Sequence, residues 1–434
     1  MKIFVKTIFV LVLFASVIIA QTNTVAFVGA KIYTANNPMI PNGVMIIKDG
    51  KIISVGSIED VSIPSGIKIV DVKGKVILPG LVDTHSHIGM DWGFDKDSPT
   101  QPSIRILDAI NPLHDTFNRA RAGGITSVNI MPGSGHLMSG QTVYLKTKKT
   151  NNVADMLFCD DVVNGICGGM KMANGTNSIR EKPFPGTRGK SAAVVRELYY
   201  KAIDYKNKID EADGDESKLP PKDIGLDALV QILNGERTVH HHTHRADDIL
   251  TVLRLQKEFG FKLVLQHVSE GYKVAEEIAK AKVPCSVIVI DSPGGKLEAV
   301  NLQFETAKVL VDAGVVVAIH TDDWITDSRF LFRCAALAMR AGLSEEDAIK
   351  VLTINGAKML EIDDRTGSIE EGKDADFLIL SGNPFSLYTH VEQTWIDGEN
   401  VFNRDNEEDY KYAVGGFNVY PSAGHGHSLC GEVE

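Results

Sequence analysis

Two histidines one residue apart, His85 and His87, close the apolar segment "ILPGLVDTHSH". Alternation along a β-strand points both rings to one side, so one short strand can deliver two imidazoles to one metal ion. Further candidates end other apolar runs: Lys171 in "GMKMA", His242 and His244 in "VHHHTHRADD", His267 in "LVLQHV" and Asp322 in "AIHTDD". Nitrogen and carboxylate donors without thiolate favour zinc, with manganese, iron or cobalt as substitutes. Singly, each has a plainer reading. A strand-end His267 is more often a satisfied polar group, Asp322 could cap a following helix, and Lys171 could be a surface lysine. Recurrence at successive strand ends is what points to a metal site. A divalent ion there lowers the pKa of a bound water toward about 7. Asp322 then serves as ligand and as the base that moves the water's proton, while the ion or His267 polarises a carbonyl.

The elements that must position these groups are buried-looking strands alternating with amphipathic helices, the pattern of a parallel α/β sheet. Strand candidates are "ILPGLVDTH", "ITSVNIMP", "GGMKMA", "TVHHHTH", "KLVLQHV", "PCSVIVID" and "VVVAIHTDD". The helix "RADDILTVLRLQKEFG" stops on Gly260, and "SEEDAIKVLTINGAKML" reads as one helix capped by Ser344. His85 and Asp322 are 237 positions apart, matching the roughly 250 residues of a (β/α)₈ TIM-like barrel, whose functional groups sit at the strands' C-terminal rim. A doubly wound sheet would need a Gly-rich phosphate turn, and "MPGSGHLMSG" lacks that spacing. Two β-rich stretches flank this body, each with an Asp-Gly turn, Asp49-Gly50 and Asp397-Gly398. Joined, they make an accessory sheet domain from 22–75 with 366–405, around a barrel at 76–365 and before a polar tail at 406–434.

"MKIFVKTIFVLVLFASVIIAQTN" has the anatomy of a secretory signal peptide, residues 1–20, cleaved after Ala20. Its removal takes two lysines and shifts the net charge from -11 to -13. An acidic chain without a basic run argues against nucleic acid and anionic membrane as partners. Five scattered cysteines without CxxC exclude a zinc ribbon, and an oxidising compartment permits a Cys159–Cys167 bridge. The sequon Asn174-Gly175-Thr176 lies three residues from Lys171, so a glycan there would crowd the site.

"LPGLVDTHSH", "GGITSVNIMPGSGHLMSGQT", "MKMA", "HTHRADDI", "AIHTDD" and "LTINGAKMLEIDDRTGSIEEGKDADFLIL" resemble the amidohydrolase superfamily, in particular its imidazolonepropionase-related branch, over about residues 25–405. The resemblance implies a distorted (β/α)₈ barrel plus a β-sandwich from both chain ends. It also implies metal ligands His85, His87, His242, His267 and Asp322, with His244 as the alternative to His242, and Lys171 as a carboxylated lysine bridging two ions. Where similar sequences continue "MKMA" with Gly-Glu-Asn, this chain has Gly175-Thr176-Asn177, so the fourth-strand carboxylate they carry is lacking.

The function that follows is hydrolysis of an amide, cyclic amide or dipeptide-like C–N bond in a small molecule, by an exported enzyme whose assembly into homo-oligomers is open. Candidate substrate contacts are His244, Arg245, Tyr272, His136 and Gln141. Arg245 would pair with a substrate carboxylate, or equally with Asp247 or Asp248. The rivals are an inactive relative that keeps the barrel for binding, and a metal-binding protein using "HHHTH" and "GHGHS".

Overall fold

The computed structural model describes residues 24–90, 97–289, 297–323 and 325–415. The segment expected to be a signal peptide, Cys430 and the residues beyond 415 lie outside them. The chain opens with β1 (Thr24–Ile32), β2 (Ile40–Lys48), β3 (Lys51–Ser57), β4 (Lys68–Asp71) and β5 (Val76–Pro79). Its middle carries β6 (Leu81–Ser86), β7 (Ile125–Ile130), β8 (Met138–Gln141), β9 (Val143–Lys146), β10 (Met170–Ala173), β11 (Val239–Thr243), β12 (Leu263–His267), β13 (Cys285–Val287) and β14 (Val317–Ile319). The last strands are β15 (Phe377–Leu380), β16 (Val391–Ile396) and β17 (Glu399–Asn403).

The chain ends meet where β5 pairs antiparallel with β15, in the order β17-β16-β15-β5-β1-β2-β3 with β4 also on β1. Hydrogen bonding therefore makes one eight-stranded sheet, not the two separately bonded sheets of a sandwich. The reason lies in β1: Val25–Val28 pair with β4, then Lys31 and Ile32 pair with β5, so one bulged strand serves two neighbours on the same edge. An apolar cluster of Phe27, Met45, Ile47, Ile77 and Phe377 fills the sheet's core. The Asp49-Gly50 and Asp397-Gly398 turns have φ of 49° and 81°, and 48° and 74°, the left-handed pair a two-residue hairpin requires.

In the middle, β10 to β14 form a parallel sheet with β8 antiparallel on β10, and β6 pairs parallel with β7, which carries β9 antiparallel. The two sheets meet at a parallel bridge between Ser86 and Asp323. This is an α/β, barrel-like arrangement, but the strands do not close into one continuous ring among the described residues. Only Thr142 separates β8 from β9, too little chain for the crossover a parallel strand needs. The two short strands instead split between the sheets.

The helix Ala246–Phe259 ends on Gly260 as expected. The second expected helix is two, Glu345–Leu352 and Ile354–Met359, capped by Ser344 Oγ on the Asp347 amide. Thr353 breaks it: its hydroxyl donates to Ile349 O and its backbone leaves helical geometry. That break lets Asn355 Nδ2 bond Val317 O, 2.8 Å away at the start of β14. The supposed tail begins with a docked helix, Glu407–Val414, whose Tyr412 hydroxyl donates to Asp115.

What locks sheet to strands is Lys146 at the end of β9, fully buried, with Nζ 2.6 Å from Asp374, 2.8 Å from Asp376 and 2.5 Å from Asp397. Burial would lower its pKa, but Asp376, Asp397 and Asp374 together raise it, so it stays charged. Its ammonium fills the place a cation would take among those carboxylates. Replacing Lys146 with Met leaves buried carboxylates facing one another and should lower stability by about 3–5 kcal/mol. Urea unfolding at neutral pH measures this, and an unchanged midpoint would contradict the lock.

Candidate metal centre

Every residue of β6 is buried. Asp83 anchors the strand, accepting from Thr321 N (3.1 Å) and from the Thr321 hydroxyl (2.5 Å). Burial pushes its pKa up to about 7 despite these bonds. The anchor sets β6 beside the end of β14, where Asp322 N donates to His85 O at 2.9 Å. His85 Nε2 and His87 Nε2 consequently lie 3.3 and 3.0 Å from Asp322 Oδ1, while Asp322 Oδ2 turns toward His267 Nδ1 at 3.8 Å. The adjacent Asp323 serves differently, binding buried Arg119 at 2.6 Å and Ser328.

The candidates thus converge. His85, His87 and Asp322 form one group of donors within reach of a common ion. His242, His244 and His267 form a second, and His85, His267 and His320 a third. His242 and His244 both lie in this second group. Lys171 Nζ lies 3.0 Å from His85 Nε2 and 3.1 Å from Met131 Sδ, wholly buried. His267 and Asp322 sit at φ of 71° and 51°, a region that non-glycine residues enter at a cost. The strand ends are bent to aim side chains, at the expense of backbone comfort.

The donor chemistry fits a divalent cation. His87 Nδ1–H donates to Met131 O at 2.7 Å, and a carbonyl can only accept, so His87 Nε2 holds the lone pair. His85 Nδ1–H donates to Gln266 Oε1 at 3.2 Å, with the same result. Two lone pairs, 3.3 and 3.0 Å from one carboxylate oxygen, are reconciled by positive charge placed among them. Burial foremost, with neighbouring positive charge, holds His85 and His267 well below the ordinary imidazole range. Both are neutral imidazoles at pH 7, the form a metal ligand requires.

Behind the donors stand residues the sequence reading did not single out. Gln266, on β12, bridges two imidazoles: its Oε1 accepts from His85 and its Nε2 donates to His240 Nδ1 at 3.1 Å. His240 in turn meets the Tyr144 hydroxyl at 2.6 Å. His320 Nε2 lies 3.1 Å from His267 Nδ1, and its Nδ1 lies 2.6 Å from Ser286 Oγ. A signal for His320 existed, since it precedes Asp322 by two residues and follows the alternation that flagged His85 and His87. Gln266 carried no such signal.

The expected substrate contacts fare unevenly. Arg245 pairs with Asp247 at 2.9 and 3.0 Å, so its guanidinium is turned to its own chain, not to the histidines. Gln141 donates to Pro102 O, and Tyr272 lies half-buried with Lys273 Nζ 5.7 Å from its ring. His136 is fully buried, 5.2 Å from the Phe184 ring. Asn174 Nδ2 donates to Asp248 O at 3.1 Å. Cys159 and Cys167 are bridged, and Cys285 and Cys334 are buried.

Residues 228–403 match the model of the Amidohydrolase family. The crystal structure of an amidohydrolase from Thermotoga maritima MSB8 is 36% identical, superposes with a TM-score of 0.82, and matches over 88% of this chain and 100% of its own. Amidohydrolase tasK of Hapsidospora irregularis is 25% identical over 79% of this chain, which spans only 38% of that longer protein. An imidazolonepropionase of Kosmotoga olearia is 25% identical over 78% of this chain and 84% of its own length.

Two outcomes follow from this geometry. Gln266→Leu removes the acceptor that fixes His85 and should weaken divalent-metal affinity about 10–100-fold, whereas Gln266→Glu retains the acceptor and should recover most of it. Calorimetric titration separates the two, and equal affinities would remove Gln266 from the site. Burial also lowers His240, His241 and His320 to about 3, about 4 and about 3, against an ordinary 6.5. Below about pH 6.5 the unfolded chain then binds more protons, so stability is complete above that pH and is lost as pH falls toward 4, by about 1.4 kcal/mol per pH unit per histidine. Asp83 acts in the opposite sense from about 7 downward, but it is outnumbered. Chelator-treated protein should melt at a lower temperature at pH 5 than at pH 7, and a flat profile would contradict neutral burial.

Proposed function

The chain belongs to the amidohydrolase family, and from that premise we propose that it is a zinc-type metal-dependent hydrolase that cleaves an amide, cyclic amide or dipeptide-like C–N bond in a small molecule. One observation carries the reading: His85 and His87 from β6 stand 3.3 and 3.0 Å from one oxygen of Asp322, which is 237 positions away in the chain. His85, His87 and Asp322, beside Lys171, His242 and His267, would hold a divalent ion, which when bound would supply an acidified water and a Lewis acid for a carbonyl. The chain's own groups do the rest. Asp322 Oδ1 faces the histidine pair, leaving Oδ2 to accept the attacking water's proton and pass it to the departing nitrogen, which must be protonated to leave. His267, within 3.8 Å of that oxygen, is placed to hydrogen-bond the substrate oxygen as negative charge develops there. Burial of the whole group excludes bulk water and strengthens each of these interactions.

The accessory domain, 22–75 with 366–405, is the scaffold whose β1 and β15 hold β5 and therefore β6, and 76–365 is the catalytic part. Export through residues 1–20 is supported by the Cys159–Cys167 bridge, since such bonds persist in oxidising compartments. No helix of the described residues is long and apolar enough to cross a membrane.

Asp322→Asn should lower kcat about 10²–10⁴-fold on whichever substrate is turned over. The assay is a panel of N-acyl amino acids, dipeptides and cyclic amides, run with metal analysis of the purified protein. Absence of a bound transition metal, or full activity in the Asn variant, would defeat this assignment.

A further inference from the structure

Beyond β13 the chain makes one turn of 3-10 helix, Leu297–Ala299. Leu297 and Val300 are 85% and 73% exposed, yet Glu298 between them is only 3% exposed. Burying a carboxylate costs several kcal/mol unless it is compensated, and only one of its oxygens is hydrogen-bonded. Oε2 accepts from Thr176 N at 2.7 Å. Oε1 is buried with no hydrogen-bond partner among the described residues and lies 3.7 Å from His242 Nε2.

The end of β10 is shaped to admit this side chain. Gly175 has φ of 80°, and a Cβ there would sit 2.3 Å from Glu298 Oε2. Asn177 Nδ2 reaches the same His242 nitrogen at 3.4 Å. The "GTN" segment, which lacks a carboxylate of its own, thus clamps one that arrives from a different part of the chain.

A separation of 3.7 Å is too long for a hydrogen bond. It is close to the spacing of two ligands on one cation, since donors about 2.1 Å from a tetrahedral ion lie about 3.4 Å apart. His85 and His87 stand at comparable distances, 3.3 and 3.0 Å, from Asp322. The group of His242, His244 and His267 offers three imidazoles and no carboxylate. A dication there would meet carboxylate charge from Asp322, shared with the first position and with its Oδ2 3.8 Å from His267 Nδ1. Glu298 is the nearby buried carboxylate with an oxygen to give.

We propose that Glu298 is a metal ligand that completes, with His242, His244 and His267, a second cation position beside that of His85, His87 and Asp322. The proposal rests on the metal-dependent reading above and adds a ligand and a count to it. Gly175 and Thr176 are the positioning residues of this ligand, one by the space it leaves and the other by its amide.

The test is metal binding by the full chain, independent of turnover. Chelator-stripped protein is titrated with Zn²⁺ calorimetrically, and bound metal is counted by elemental analysis after dialysis. Wild type should bind two ions. Glu298→Gln, which keeps an acceptor for the Thr176 amide and hence the fold, should retain one ion and bind the second at least about tenfold more weakly. Circular dichroism and melting confirm that the variant is folded, and Glu298→Asp should fall between the two. Equal stoichiometry and affinity in wild type and Glu298→Gln would overturn the role of Glu298 while leaving metal dependence intact. A wild type that binds no ion would overturn the metal-dependent reading itself.

Discussion

The site depends on one juxtaposition, the Asp322 carboxylate against the lone pairs of His85 and His87 in a region almost without solvent. In water these groups would be indifferent to one another. Burial holds the His85 imidazole neutral, and a buried carboxylate is costly without a compensating cation, so the cluster is poised to take one. Lys171 Nζ lies in the same cluster, 3.0 Å from His85 Nε2. The same desolvation makes the surrounding bonds selective. The Met131 carbonyl and the Gln266 amide oxygen each accept only from Nδ1–H, which turns Nε2 of both histidines toward the common point.

Holding that juxtaposition requires support from well beyond the site. β5 runs into β6 through Gly80 alone, so the eight-stranded sheet and the ligand strand are nearly one piece of chain. The sheet is in turn fixed to β9 by Lys146 among Asp374, Asp376 and Asp397. At the opposite strand, Asp83 grips Thr321 one residue before Asp322. Asp323, one residue after, grips Arg119. With its neighbours on both sides bonded elsewhere, Asp322 adopts a φ of 51°, a conformation that an aspartate in a free loop would seldom keep. Strain at the ligand is balanced by polar bonds beside it.

Much of this was legible in the chain. Strand-end histidines and the final aspartate could be read because period-two alternation and the parallel-sheet rule place such residues at one rim whatever the details of packing. The Asp-Gly hairpins and the stop at Gly260 were readable because left-handed backbone strongly favours a few residue types. Less legible were features set by neighbours distant in sequence. The split of one expected helix at Thr353 depends on what Asn355 reaches in β14, and the division of β8 from β9 depends on which sheet each can join. Gln266 looked like an ordinary residue before a histidine until it was seen between His85 and His240.

By itself, then, the sequence determined that a metal-binding hydrolase of α/β architecture was encoded, since ligand types and local periodicity are properties of short segments. Tertiary structure alone decided which of the two aspartates at 322 and 323 faces the histidines, that His244 and His320 join the donors, that Arg245 is spent on Asp247, and that a carboxylate from residue 298 stands where the fourth-strand segment has none. The physical reason is that each of these depends on direction and distance between segments far apart in the chain, fixed by packing and by the cost of leaving buried polar groups unmatched. Neither term is written in any one stretch of residues.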